Sequence, residues 1–279
     1  MERVPRPTLQ PWRSALTSVI QFEEECYLNI KDYLERINYR GPLAPTAETL
    51  RELQVAHLLA VPFENLSIHA GQPVVLDDDA LFEKIVGRRR GGFCYEANGL
   101  FAALLRALGF NVTMLSAGVA NAGGGFGPDF DHMTLMVTLD ERWLVDVGFG
   151  DSFREPLLID RRGEQRQGDR AYRIGSDSTH LILLQRDETD GDGGWKAQYR
   201  FTLQPHEYAD YEEMCRYHQT SPQSHFTRAR ICSKATLDGR VTLSEMRLIK
   251  TKDDERQERV LTDEQEYALV LREQFGIVI

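Results

Sequence analysis

Three residues of this sequence have the types that nucleophilic acyl chemistry needs: Cys94, His132 and Asp146. A thiol attacks as its thiolate, so it needs a base, and an imidazole base needs a carboxylate to orient it. Cys94 follows Arg90-Gly91-Gly92-Phe93 and opens a helical pattern. Unpaired N–H groups and the helix dipole favour an anion there, so this placement is expected to lower the thiol pKa. The two glycines let other groups approach the backbone closely. The competing reading of a free cysteine is a small buried hydrophobe.

The element that must carry Cys94 is a helix. Apolar residues fall at Phe93, Ala97, Leu100, Phe101, Leu104, Leu105 and Leu108, one stripe at a 3.6 period, and Gly109 is placed to cap it. After Gly109 the period changes to two, so 112–117, 133–139 and 142–147 read as strands, the first two separated by a Gly-rich loop, 121–128. A three-residue loop, Leu139 to Glu141, would pair Thr138 with Arg142. Met133, Leu135 and Val137 then share an apolar face with Val147, Val145 and Trp143. His132 and Asp146 become diagonal neighbours on the other face, roughly 7–8 Å apart at the backbone. A two-residue loop would scramble the apolar face and part the His from the Asp. Taken singly, His132 also reads as a strand-edge histidine and Asp146 as a polar residue near a turn.

The remaining elements follow the same periodicities. Residues 29–37 read as a helix, and Thr46 caps another that Pro62 ends. Further strands are read at 181–185, 195–203, 229–234 and 240–243, with an acidic hairpin tip at 187–194. Residues 264–275 return to helix, and Gly276 stops it. Helices, then strands, then a helical tail give an α+β class.

Composition is that of a globular protein, 42% hydrophobic and 27% charged over 279 residues. A net charge of −10 argues against a general nucleic-acid binder. No apolar run reaches the length of a membrane span, and the N-terminus lacks the pattern of a secretory signal, so the cytosol is the expected compartment. Cys26, Cys94, Cys215 and Cys232 show neither metal nor disulfide spacing, so no metal site is expected. Arg88-Arg89-Arg90 reads as a solvated helix end.

Several stretches together resemble the arylamine N-acetyltransferases. They are Arg90-Gly91-Gly92-Phe93-Cys94-Tyr95-Glu96, Val61-Pro62-Phe63-Glu64-Asn65-Leu66, Asp131-His132-Met133, Leu144 to Gly150, Pro222-Gln223-Ser224-His225-Phe226 and the closing Phe275-Gly276-Ile277. The resemblance runs from about Tyr27 to the C-terminus. It implies an N-terminal helical bundle, a central β-barrel and a C-terminal α/β lid around a cysteine-protease-like core. The corresponding division is 1–26 as an N-terminal extension, 27–110 as the bundle, 111–205 as the barrel and 206–279 as the lid. It also implies a ping-pong cycle in which acetyl-CoA acylates Cys94, with His132 as base and Asp146 as orienting acid. An arylamine, arylhydroxylamine or hydrazine then takes the acetyl group. The chain departs from the family's pattern at Leu53-Gln54-Val55-Ala56-His57 and at Gly118-Val119.

Around this core, Phe63, Phe149 and Phe226 are candidates for the amine pocket, with core packing as the competing reading. Gly148, Gly150 and Ser224 are candidates for contact with CoA, and Arg90 either contacts CoA or holds its loop. The backbone N–H of Cys94 and one near His132 are candidate oxyanion donors. Rival readings are an amide synthase using a non-CoA thioester, a thiol hydrolase with the same triad, and a binder that keeps the fold.

Overall fold

The computed structural model describes residues 28–187, 193–252 and 255–278. The expected extension, 1–26, and the centre of the expected hairpin tip lie outside the described residues.

Helix α1 (Ile30–Arg36) begins where the side chain of Asn29 accepts the N–H of Asp32 at 3.2 Å. Helix α2 (Ala47–Ala60) begins where Thr46 accepts the N–H of Thr49 at 3.2 Å. Each cap satisfies an N–H that the first turn leaves unpaired. A short strand β1 (Phe63–Glu64) and two short helices, α3 (Leu66–His69) and α4 (Asp78–Phe82), follow. A π-helical turn, Glu83–Gly87, then leads to α5 (Cys94–Ala107).

Helix α5 is the centre of the largest core cluster. The sequence predicts one apolar stripe on it, but every residue from Cys94 to Leu105 is buried. Its polar residues are buried because Glu96 and Asn98 find partners inside the protein. Gly109 ends the segment with a φ of 87°, a conformation that suits glycine.

Eight antiparallel strands come next: β2 (Asn111–Val119), β3 (His132–Thr138), β4 (Arg142–Val145), β5 (Leu157–Leu158), β6 (Gln165–Gln167), β7 (Arg170–Ser176), β8 (Leu181–Asp187) and β9 (Lys196–Phe201). Their order is β5-β4-β3-β2-β9-β8-β7-β6, which wraps into a nearly closed barrel. Side chains bridge the gap between its two edges. Gln165 accepts the N–H of Leu158 at 2.8 Å and donates to its carbonyl at 3.0 Å.

The β3–β4 hairpin has the expected register, with Thr138 opposite Arg142 and Leu135 opposite Val145. Met133, Leu135, Val137, Val145 and Val147 pack into the helical core. Leu144, from the other face, joins a second cluster inside the barrel. Both faces of the hairpin are therefore buried, and the catalytic candidates lie between two cores.

The C-terminal part contains α6 (Tyr208–Thr220), α7 (His225–Arg228), β10 (Ile231–Thr236), β11 (Gly239–Ser244), β12 (Arg247–Lys252), β13 (Glu255–Val260) and α8 (Glu264–Val270). Helix α8 runs into a π-helical turn that Gly276 ends at φ 73°. The sheet order is β1-β10-β11-β12-β13, so a strand from residues 63–64 completes a sheet whose other strands lie within 231–260, with Glu64 opposite Cys232. The fold is the expected α+β arrangement of helices, barrel and C-terminal sheet with helix.

Candidate active site

Two glycines and a buried ion network shape the turn before Cys94. Strand β1 lies beside it: Glu64 donates its N–H to the Gly92 carbonyl at 3.0 Å. A β-carbon on Gly91 would overlap the carbonyl oxygen of Pro62, so the close approach of the two segments requires glycine there. The buried guanidinium of Arg36 binds the carbonyls of Ala60 and Ile85 at 2.8 and 2.9 Å and that of Arg90 at 3.2 Å. Glu96 accepts the N–H of Phe93 at 3.1 Å, and its other oxygen lies 2.6 Å from Lys84 Nζ. Arg90 pairs with Glu64 at 2.8 Å, so it holds the loop, whereas Arg88 and Arg89 are exposed as a solvated helix end would be.

Cys94, His132 and Asp146 are 3%, 2% and 3% exposed. Nε2 of His132 lies 2.7 Å from Oδ2 of Asp146, which leaves Nδ1 as the other ring nitrogen. Oδ1 of Asp146 accepts the N–H of Gly148 and Nδ2 of Asn98, both at 2.9 Å. Burial alone would raise this carboxyl, but the charge and hydrogen bond of His132, with Asn98 and Gly148, hold it below the usual carboxylate range. The backbone N–H of Met133, the residue after His132, favours the charged form of the Cys94 sulfur.

The thiol corrects one expectation. Burial pushes Cys94 well above its ordinary value, and the Met133 N–H only partly opposes this. The nearby Cys215, Asp146 and Asp131 raise it further. A helix start lowers a thiol pKa only where solvent or a cation shares the charge, and here burial outweighs it.

Asn98 and Tyr199 were not singled out from the sequence. Asn98, one turn beyond Cys94, also donates to the Met133 carbonyl at 2.7 Å and accepts the Val147 N–H at 2.9 Å. It thereby ties the helix to both hairpin strands. The available signal was its place four residues from Cys94, on the same helix face. Tyr199, from β9, and Phe149 each place a ring 5.2 Å from that of His132. No local pattern links Tyr199 to His132, since the barrel alone brings β9 there.

The other candidates divide. Phe149 lies against His132, while Phe63 and Phe226 face each other at 6.2 Å. Gly150 has a φ of 95°, and a β-carbon there would sit 3.9 Å from the Phe63 ring. Gly148 is buried, and a β-carbon on it would press within 2.8 Å of the Cys94 α-carbon. Its missing side chain lets this turn pack closely against the start of α5. Ser224 is likewise 2% exposed, with its hydroxyl taken up by the Phe226 N–H and by His218. Past Gly150 opens a cavity of about 470 Å³ lined in part by Asp151, Arg154, Arg170 and Arg240. Its arginines already carry partners: Arg170 and Arg240 pair with Asp151, and Arg154 binds backbone carbonyls.

Among the described residues no helix is long and apolar enough to cross a membrane, and no group of three or more His, Cys, Asp or Glu residues is arranged to hold a metal.

A family model described as N-acetyltransferase matches residues 46–279. The chain is 34% identical over 253 residues to proansamycin X synthase of Amycolatopsis mediterranei (strain S699), covering 88% of this chain and 96% of that one. It is 32% identical over 252 residues to the arylamine N-acetyltransferase of Escherichia coli (strain K12), covering 89% and 88%. It also superposes on the Mycobacterium marinum arylamine N-acetyltransferase in complex with CoA, with a TM-score of 0.81 and 33% identity over 89% and 93% of the two chains. Fold and sequence together define a transferase. The chain belongs to the arylamine N-acetyltransferase family.

Proposed function

We propose that this enzyme carries an acetyl group from acetyl-CoA to the nitrogen of an arylamine, arylhydroxylamine or hydrazine through a thioester on Cys94. The observation that carries the reading is the buried His132–Asp146 pair at 2.7 Å, tied by Asn98 to the helix that begins with Cys94. With Nε2 facing Asp146, Nδ1 of His132 is the nitrogen that takes the Cys94 proton. An isolated buried thiolate is too costly, so the proton passes to His132 within the site, and Asp146 stabilises the resulting imidazolium.

The sulfur attacks the acetyl carbonyl, and the C–S bond to CoA breaks. The CoA sulfur leaves with the proton held at Nδ1, and acetyl-Cys94 remains. The amine nitrogen then attacks the thioester and gives a proton to Nδ1. The Cys94 sulfur departs, recovers that proton, and the resting enzyme returns. Aromatic amines suit this cycle because they are neutral nucleophiles at pH 7. The Cys94 N–H is the proposed oxyanion donor. Phe63, Phe149 and Phe226 line the acceptor side, and the Gly150 turn is the proposed backbone approach for CoA. The M. marinum relative in complex with CoA supports the choice of donor. A reducing cytosolic setting suits a reaction that needs Cys94 as a free thiol.

Steady-state rates measured over a grid of acetyl-CoA and arylamine concentrations test the cycle. A ping-pong cycle gives parallel double-reciprocal lines. Intersecting lines mean direct transfer and remove the thioester. A second reading is an amide synthase fed by a non-CoA thioester, favoured by the 34% identity to proansamycin X synthase. It predicts the same acyl-Cys94 but no acylation by acetyl-CoA.

A further inference from the structure

Beside the His132–Asp146 pair stands a second acid–imidazole pair that the cycle above does not use. Asp131 directly precedes His132. Its Oδ1 lies 3.2 Å from Nε2 of His218, an ion-pair distance whose direction is off the hydrogen-bond axis. Its Oδ2 accepts the N–H of Val119 at 3.2 Å. Burial would raise this carboxyl, but His218, the Val119 N–H and His132 together hold it below the usual range, so it is a carboxylate.

His218 lies on α6 and is 2% exposed. Its Nδ1 is 3.0 Å from the hydroxyl oxygen of Ser224, which caps α7 by accepting the Phe226 N–H at 3.2 Å. The Ser224 proton is thus available to Nδ1, and the ring proton of His218 then sits on Nε2, toward Asp131. The ring also packs edge-on against Phe226 at 5.1 Å. One imidazole therefore joins the phenylalanine of the acceptor side to the residue that precedes the base. Its other ring neighbours are Tyr95, Tyr217 and His225. Tyr95 follows Cys94 and donates to the Phe130 carbonyl at 2.6 Å, steadying the same approach to His132. In this buried ring Nδ1 has the Ser224 hydroxyl as its hydrogen-bond partner, and Nε2 has the Asp131 carboxylate at ion-pair distance.

We propose that His218 is a positioning residue with two separable duties: its Nδ1 end seats Ser224 and so Phe226 for the amine, and its Nε2 end holds Asp131 and so aims His132. The proposal rests on the reading that His132 is the base for a Cys94 thioester.

Two amide substitutions separate the ends. His218→Asn places its amide near the Nδ1 position and keeps the Ser224 link. His218→Gln reaches the Nε2 position and keeps the Asp131 link. Stopped-flow acylation by acetyl-CoA reads the first half-reaction, and KM for the arylamine reads the second. For His218→Asn we expect acylation slowed about tenfold with the amine KM unchanged. For His218→Gln we expect near-normal acylation with the amine KM raised about tenfold. Either change is the size expected for the loss of one buried polar contact. Asp131→Asn and Ser224→Ala cut the same links from the other side and should repeat the split if either His218 variant fails to fold. Defects that move together in all variants, or thermal destabilisation with both parameters normal, overturn the proposal. A wild-type enzyme that acetyl-CoA does not acylate overturns the thioester reading instead.

Discussion

Asn98 donates one amide hydrogen to Asp146 at 2.9 Å, and it does so from the same helix that carries Cys94. Cys94 and the Asp146 carboxylate are thus tied to one rigid element, with α5 setting the spacing between them. Asn98→Ala leaves the Val147 N–H and the Met133 carbonyl without their partner as well. A loss of about 1–3 kcal/mol in unfolding free energy is expected, with a drop in kcat larger than the change in KM. Denaturant unfolding and steady-state rates on the same preparation check both. An unchanged kcat contradicts a role for Asn98 in aligning the site.

Asp146→Asn keeps the shape but removes the charge that orients His132. A fall of roughly 10²–10⁴-fold in kcat is expected, as for the neutralised carboxylate of a catalytic triad. Its folded-state carboxyl is held low, so the stability it contributes is present above the unfolded value near 3.9 and is lost as pH falls through the folded one. Denaturant unfolding across pH 3–6 should show a shallower acid limb in the variant than in the parent.

His57 supplies a second, separate pH dependence. It is fully buried, with Nδ1 2.9 Å from the Tyr33 hydroxyl, and burial, then the nearby Arg36 charge, lowers its pKa to about 3. The unfolded chain takes up a proton near pH 6.5 that the folded one refuses until about 3. His57 therefore costs no stability above about pH 6.5. It draws stability away as pH falls below that, by up to about 1.4 kcal/mol per pH unit. His57→Asn, which places an amide oxygen near the Nδ1 position as an acceptor for Tyr33, should flatten the stability profile between pH 4 and 6. Parallel profiles contradict the assignment.

The buried Lys84–Glu96 pair fixes the start of α5, since Glu96 also caps Phe93. Lys84→Met strands a buried carboxylate and is expected to cost about 3–5 kcal/mol. The double variant Lys84→Met/Glu96→Gln should recover part of that loss. Thermal melts of the single and double variants decide it, because a double variant less stable than Lys84→Met contradicts a charge-based cause.

What was legible in the sequence was local. The Thr46 cap, the start of α5 at Cys94 and the β3–β4 register follow from side-chain types within a few residues of one another. What was hidden depends on distant partners. Helix α6 buries Tyr211, Cys215 and His218 at helical spacing, but these are not residues that read as an apolar stripe. Strand β13 is exposed along its length and shows no alternation. The raised Cys94 thiol follows from burial on every side, which a helix-start position alone does not reveal. The burial of Gly148 and Ser224 was hidden as well, because a glycine turn and a serine look the same from sequence whether they face a cleft or a core.

The central claim is that Cys94 itself carries the acetyl group. Incubating the enzyme with acetyl-CoA alone and recording its intact mass tests this directly. The account predicts a gain of one acetyl group that is absent in Cys94→Ala and is discharged when an arylamine or hydrazine is added. An enzyme that turns over with acetyl-CoA and an arylamine yet never shows that adduct, even under rapid quench, would contradict it.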